Sequence, residues 1–123
     1  PFIKAHVLAE CVASCRKFGG AVAAKRVSDT IKEADAEGFA IRTLQRDALW
    51  AMETPQVFPR DTLSASCERA VAGGLRFTDD AAAVEHFFGV RPFLVENISF
   101  NMKLTWPYDL EMAQCRLSTM EGA

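Results

Sequence analysis

The chain has no apolar run approaching the roughly 18 residues that a membrane span requires, and no signal peptide is legible at its start. A Gly-rich phosphate loop is also missing. The glycine pairs Gly19-Gly20 and Gly73-Gly74 read as helix stops instead. Histidine is scarce. His6 and His86 each fall on an expected helix, with no acid or nucleophile at suitable spacing, so no Ser/His/Asp or Cys/His catalytic arrangement is written in the chain. The cysteines Cys11, Cys15, Cys67 and Cys115 match no zinc spacing. Cys11 and Cys15 share the apolar stripe of one helix and read as buried free thiols, which fits a reducing, cytoplasmic compartment. Net charge is low, at −2, so general attraction to nucleic acid or to an anionic membrane is not expected. Any anion site must be local, built from a few converging cations. Internal repeats and low-complexity segments are absent too.

What is present fits one domain of 123 residues, half of them hydrophobic and about a quarter charged. Leu8, Cys11, Val12 and Cys15 recur at helical spacing and predict a helix over Ile3 to Phe18. Ala21 to Val27 reads as a strand, apolar at first and basic at Lys25-Arg26. Two alternating runs flank Asp35-Ala36-Glu37-Gly38 and predict a hairpin within residues 28–46. Both its faces are part polar, so it is an arm and not a core sheet. A lone two-stranded hairpin is marginal in water and needs another surface, for which a second subunit is a natural candidate. Leu49-Trp50 then opens an apolar loop containing Thr54-Pro55-Gln56. Helices are expected over Arg60 to Val71 and Asp79 to Phe88, the latter capped by Thr78. Phe93 to Val95 and Met102 to Leu104 read as short strands, and Pro107 opens a last helix with Leu110, Ala113 and Leu117 on one face. Strands alternating with helices argue for α/β, with two or three short core strands making half a sheet.

Six polar residues could carry chemistry. Lys103, in Asn101-Met102-Lys103-Leu104-Thr105, is a lone cation where an apolar strand hands over to a helix. It reads either as an anion ligand at a strand end or as a side chain snorkelling to water. Asp29 and Thr30, where the arm leaves the body, could hold substrate hydroxyls or stabilise the bend. Arg46 offers a planar fork that matches phosphate, or an exposed ion pair with Asp47 or Glu53. Thr54 lies in a substrate loop or a rigid turn. Thr78-Asp79-Asp80 is a helix start whose free N–H groups could also receive an anion or a hydroxyl.

Taken together, the pieces resemble one family. Val27-Ser28-Asp29-Thr30-Ile31-Lys32, Gln45-Arg46-Asp47-Ala48-Leu49-Trp50 and Thr54-Pro55-Gln56-Val57-Phe58 occur in order. Phe77-Thr78-Asp79-Asp80-Ala81, Asn101-Met102-Lys103-Leu104-Thr105 and Pro107-Tyr108-Asp109-Leu110 follow in register. This is similar to the C-terminal half of the 2-C-methyl-D-erythritol 4-phosphate cytidylyltransferases of the non-mevalonate isoprenoid route. The resemblance implies half of a three-layer α/β/α (Rossmann-like) nucleotidyltransferase domain with a projecting β-hairpin arm. It implies transfer of a cytidylyl group from CTP to methylerythritol phosphate, release of pyrophosphate and use of magnesium (Mg2+), with the metal's ligands outside these residues. It also implies a homodimer in which the 28–46 arm reaches the partner's site. On that mapping Thr30 and Arg46 contact acceptor bound to the other subunit, with Asp29 beside them. Thr54 and Thr78 serve their own subunit, and Lys103 and Arg46 position the attacking phosphate.

The family's N-terminal half, with its Gly-rich nucleotide loop, has no counterpart here, and Pro1-Phe2-Ile3 resembles the continuation of a segment from that half. The chain is therefore expected to be a C-terminal fragment that does not catalyse alone. Arg26 stands where the family usually has proline, Glu53 replaces a commonly uncharged residue, and Tyr108 replaces a glutamate that would complete a capping box with Thr105. Two other readings stay open: a ribitol-phosphate cytidylyltransferase, and a non-catalytic dimerisation module.

Overall fold

A computed structural model describes residues 2–121, so Pro1 and its place in the resemblance lie outside the described residues. Three strands form the central sheet in the order β4-β1-β5, where β1 is Ala21–Arg26, β4 is Trp50–Val57 and β5 is Phe93–Glu96. β1 runs antiparallel to β4 and parallel to β5. Alternation along β1 decides which side of the sheet each residue serves. Ala21 and Ala23 pack with Val95 against Val7, Cys11 and Cys15 of α1 (Ala5–Phe18). Val22 faces the other way, with Phe58 and with Ala81 and Val84 of α3 (Asp80–Phe88); Leu63 of α2 (Arg60–Ala72) closes that cluster. Helices thus cover both faces, the expected three-layer α/β/α arrangement. Small residues in β1 let both layers approach closely. The buried stripe of α1 is Val7-Cys11-Cys15, while Leu8, expected in it, is exposed.

The arm forms as expected but with shorter strands. β2 (Lys32–Ala34) and β3 (Ala40–Thr43) pair only with each other. Asp35 Oδ1 accepts from the Phe39 N–H at 2.8 Å, and Gly38 takes the positive φ of 92° that closes the turn. At the base, the Leu44 N–H donates to Ile31 O at 2.9 Å. Every residue of both strands is exposed, including Ile41.

Three expectations are corrected. The apolar loop after Leu49 is the longest strand, β4, through Thr54-Pro55-Gln56. A proline lacks the donor a ladder needs and is tolerated on an edge or at an irregularity. β4 is the sheet's edge, and its register against β1 shifts between Val22 and Ala24, opposite Pro55. The expected strand Met102–Leu104 does not form, and this stretch belongs to the irregular connection from β5 to α4 (Pro107–Glu121). In α4, Ala113 is buried as expected, but Leu110 and Leu117 are about half exposed and Asp109 is the other buried position. Asp109 Oδ2 accepts from the N–H groups of Thr105 and Trp106, each at 2.7 Å, and so performs the capping that Tyr108 cannot.

Candidate functional site

A cleft of about 730 Å³ opens at the carboxyl ends of the parallel pair β1 and β5. Ligands of α/β sheets gather at such ends. Lys25 reaches it from β1, Glu53, Thr54 and Gln56 from β4, Thr78 and Asp79 from the start of α3, and Asn101 to Leu104 from the loop after β5. Three residues expected from the sequence, Thr54, Thr78 and Lys103, therefore line one cleft from three separate elements. All three side chains are exposed.

Asp29, Thr30 and Arg46 do not line it. They sit exposed where the arm leaves the body. Arg46 makes neither of the ion pairs considered for it. Its Nη1 donates to Ser28 O at 2.9 Å across the root of the arm. Asp47 instead offers its carbonyl to Arg26 Nη1 at 3.3 Å. Arg26, the residue at the family's proline position, lies with its guanidinium 3.9 Å from the centroid of the Trp50 ring and pairs with Glu96 at 3.5 Å.

The start of α3 is occupied, contrary to the anion-site alternative. Asp79, not Thr78, is the cap. Its Oδ1 accepts from the Ala82 N–H at 2.8 Å, while Gln56 Oε1 accepts from the Ala81 N–H and Gln56 Nε2 donates to Asp79 Oδ2, both at 2.9 Å. Two N–H groups that would have met a ligand are satisfied within the fold. What α3 contributes to the cleft is the Thr78 hydroxyl and a fixed edge.

Sequence reasoning missed Lys25, Glu53 and Asn101 as members of one network. Glu53 is 7% exposed in its side chain. Its Oε2 accepts from Asn97 Nδ2 at 2.7 Å and from Asn101 Nδ2 at 3.3 Å. Its Oε1 is buried without a hydrogen-bond partner among the described residues, with Lys25 Nζ at 4.0 Å. The sequence did carry one signal. Lys25, like Lys103, is a cation at the outlet of an apolar run.

The described residues contain no group of three His, Cys, Asp or Glu that could hold a metal ion. Both oxygens of Asp79 and one of Glu53 accept hydrogen bonds inside the fold. What the cleft offers an anionic polyol is two ammonium groups, Lys25 and Lys103, and two threonine hydroxyls.

Comparison with known proteins bears on the chain's family and fold. The profile of the 2-C-methyl-D-erythritol 4-phosphate cytidylyltransferase family matches residues 1–119. A protein of that name from Geobacillus kaustophilus is 39% identical over 119 residues, which is 97% of this chain and 51% of the relative. The crystal structure of 4-diphosphocytidyl-2C-methyl-D-erythritol synthase from Anaerococcus prevotii superposes with a TM-score of 0.85 at 26% identity, covering 96% of this chain and 52% of the other. For the Thermus thermophilus cytidylyltransferase the TM-score is 0.78 at 30% identity, over 94% of this chain and 56% of the other. The chain spans about half the length of the relatives it matches. On sequence and on fold alike, it belongs to the 2-C-methyl-D-erythritol 4-phosphate cytidylyltransferase family.

Proposed function

We propose that these residues form the acceptor side of an enzyme that transfers a cytidylyl group from CTP to methylerythritol phosphate and releases pyrophosphate. The observation that carries the reading is the convergence of Lys103, Thr54 and Thr78 on one cleft. The names of the relatives carry the methylerythritol acceptor, and for that reason it is proposed over ribitol phosphate.

In this reading a phosphate oxygen of the acceptor attacks the α-phosphorus of CTP. The new P–O bond forms as the bond from that phosphorus to the bridging oxygen breaks, and the electron pair leaves with pyrophosphate. Such a transfer requires positioning and charge neutralisation more than a protein nucleophile. Lys103 holds the acceptor phosphate, and Thr54 and Thr78 bind polyol hydroxyls. Thr30 and Arg46, with Asp29, do not line the cleft of their own chain and act on acceptor bound to a second subunit. Phe39, 73% exposed, and Ile41, 59% exposed, give the arm an apolar surface for that subunit. Magnesium would neutralise charge on the triphosphate, held by ligands outside these residues. Among the described residues no helix is long and apolar enough to cross a membrane; a cytoplasmic homodimer is the proposed setting.

Two measurements test the reading. Titration calorimetry should show methylerythritol phosphate binding to the chain, weakened about tenfold to a hundredfold by Lys103→Ala, the size of a lost charge-assisted contact. Equal affinity in the two proteins would overturn the role of Lys103. The 123-residue chain alone, which has no Gly-rich phosphate loop, should release no pyrophosphate from CTP and acceptor; clear turnover would show that it needs no further nucleotide-binding groups.

A further inference from the structure

Lys103 stands on a loop without regular structure, so something must hold that loop in place. The stretch that leads into Lys103, from Asn97 to Asn101, is closed at one atom, because Asn97 and Asn101 both donate to Glu53 Oε2. Each asparagine is then tied into the fold by other bonds. The Asn97 N–H donates to Ala24 O at 2.8 Å, and Asn97 Oδ1 accepts from the Ser99 N–H at 3.0 Å. Asn101 Nδ2 also donates to Thr54 O at 3.1 Å, and Asn101 Oδ1 accepts from the Phe2 N–H at 3.2 Å.

Glu53 is therefore a buried carboxylate with one oxygen fully used and one without a hydrogen bond. A buried charge is costly unless compensated. Lys25 Nζ, 4.0 Å from the orphan oxygen, is the cation that compensates it, and the Lys25 side chain itself lines the cleft. We propose that Glu53 is the positioning residue for Lys103: it clamps both ends of the 97–101 stretch, two residues before Lys103, and, through Lys25, keeps a second cation at the same cleft. The inference rests on the cleft's binding an acceptor phosphate, but the clamp can be read without any ligand.

The test uses Glu53→Ala and Glu53→Gln. The glutamine keeps one acceptor for Asn97 and Asn101 and removes the charge. The alanine removes the clamp. Hydrogen exchange of the Ser99 and Phe2 amides, which donate to the two clamped asparagines, should speed up about tenfold or more in Glu53→Ala and stay near the parent rate in Glu53→Gln, with α2 and α3 unchanged in both as the control for folding. Titration with methylerythritol phosphate should show about tenfold weaker binding in Glu53→Ala, the scale of a misplaced contact. Glu53→Gln, which keeps the clamp but loses the charge that holds Lys25, should recover only part of that affinity. Unchanged exchange of the Ser99 and Phe2 amides in Glu53→Ala overturns the clamp, and so does failure of the glutamine to restore slow exchange. If neither the parent nor any variant binds the acceptor while amide exchange changes as expected, the clamp stands and the acceptor reading fails. If the alanine variant also exchanges faster in α2 and α3, Glu53 supports the whole fold and its specific role is overturned.

Discussion

Cys11 and Cys15 sit under α1 against the sheet, and burial pushes both thiols above their ordinary value of 9.0. The neighbouring Glu10 carboxylate adds to this at Cys11, and Arg16 offsets part of it at Cys15. Below 9.0 the folded and unfolded chains both keep these protons, so stability does not depend on them there. As pH rises past 9.0, the unfolded chain releases protons that the folded chain retains, and stability falls. The urea midpoint should therefore decline between about pH 8.5 and pH 10, and Cys11→Ala/Cys15→Ala should flatten that decline. An equal slope in the double variant would remove these thiols as the cause. Their burial was legible in the sequence, because helical spacing put them on one stripe. Cys67 and Cys115 lie exposed on α2 and α4, whose open faces spacing alone did not reveal. The cap of α3 was legible only to within one residue. Thr78 and Asp79 are both good caps by type, and the partner that selects Asp79 is Gln56, distant in sequence on β4.

Helices were the elements most readable from sequence, since a 3.6-residue period over several turns and glycine stops at Gly19 and Gly89 identify them locally. β4 was not readable, because Thr54-Pro55 carries turn chemistry and only pairing with β1 makes the segment a strand. The Met102–Leu104 stretch failed in the opposite sense. Its composition suits a strand, but no ladder is offered to it, and asparagine side chains hold it instead. Element packing also sets limits on substitution. Gly20 joins α1 to β1, and a Cβ there would lie 2.5 Å from Cε1 of the buried Phe58 ring. Gly20→Ala should destabilise the chain by about 1–3 kcal/mol, the usual cost of overpacking. Urea unfolding reads this directly, and a variant as stable as the parent would show that the ring yields freely.

At the scale of the whole molecule, the proposed dimer assigns the arm and the cleft to different subunits. Thr30 and Arg46 flank a hairpin whose two strands form a sheet of their own among the described residues, while Lys103 lines the cleft. If the arm acts across a dimer, a chain with Arg46→Ala and a chain with Lys103→Ala complement each other. Mixed in equal amounts and allowed to exchange, they should regain about a quarter of the parental acceptor sites, since half the dimers are mixed and one of their two sites is intact. Chains lacking residues 28–46 should elute as monomers in light scattering. No recovery on mixing, with dimers intact, would place the arm at its own cleft. The sequence by itself determined the α/β class, the helices, the arm and its turn, and the family's residues, because periodicity, turn chemistry and motif order are local properties. Only the tertiary structure decided that β4 is a strand, that Asp79 and Gln56 close the start of α3, and that Glu53 gathers Asn97, Asn101 and Lys25. Those outcomes depend on partners 23 to 48 residues away, which ladder pairing and burial bring together and which no short window of sequence contains.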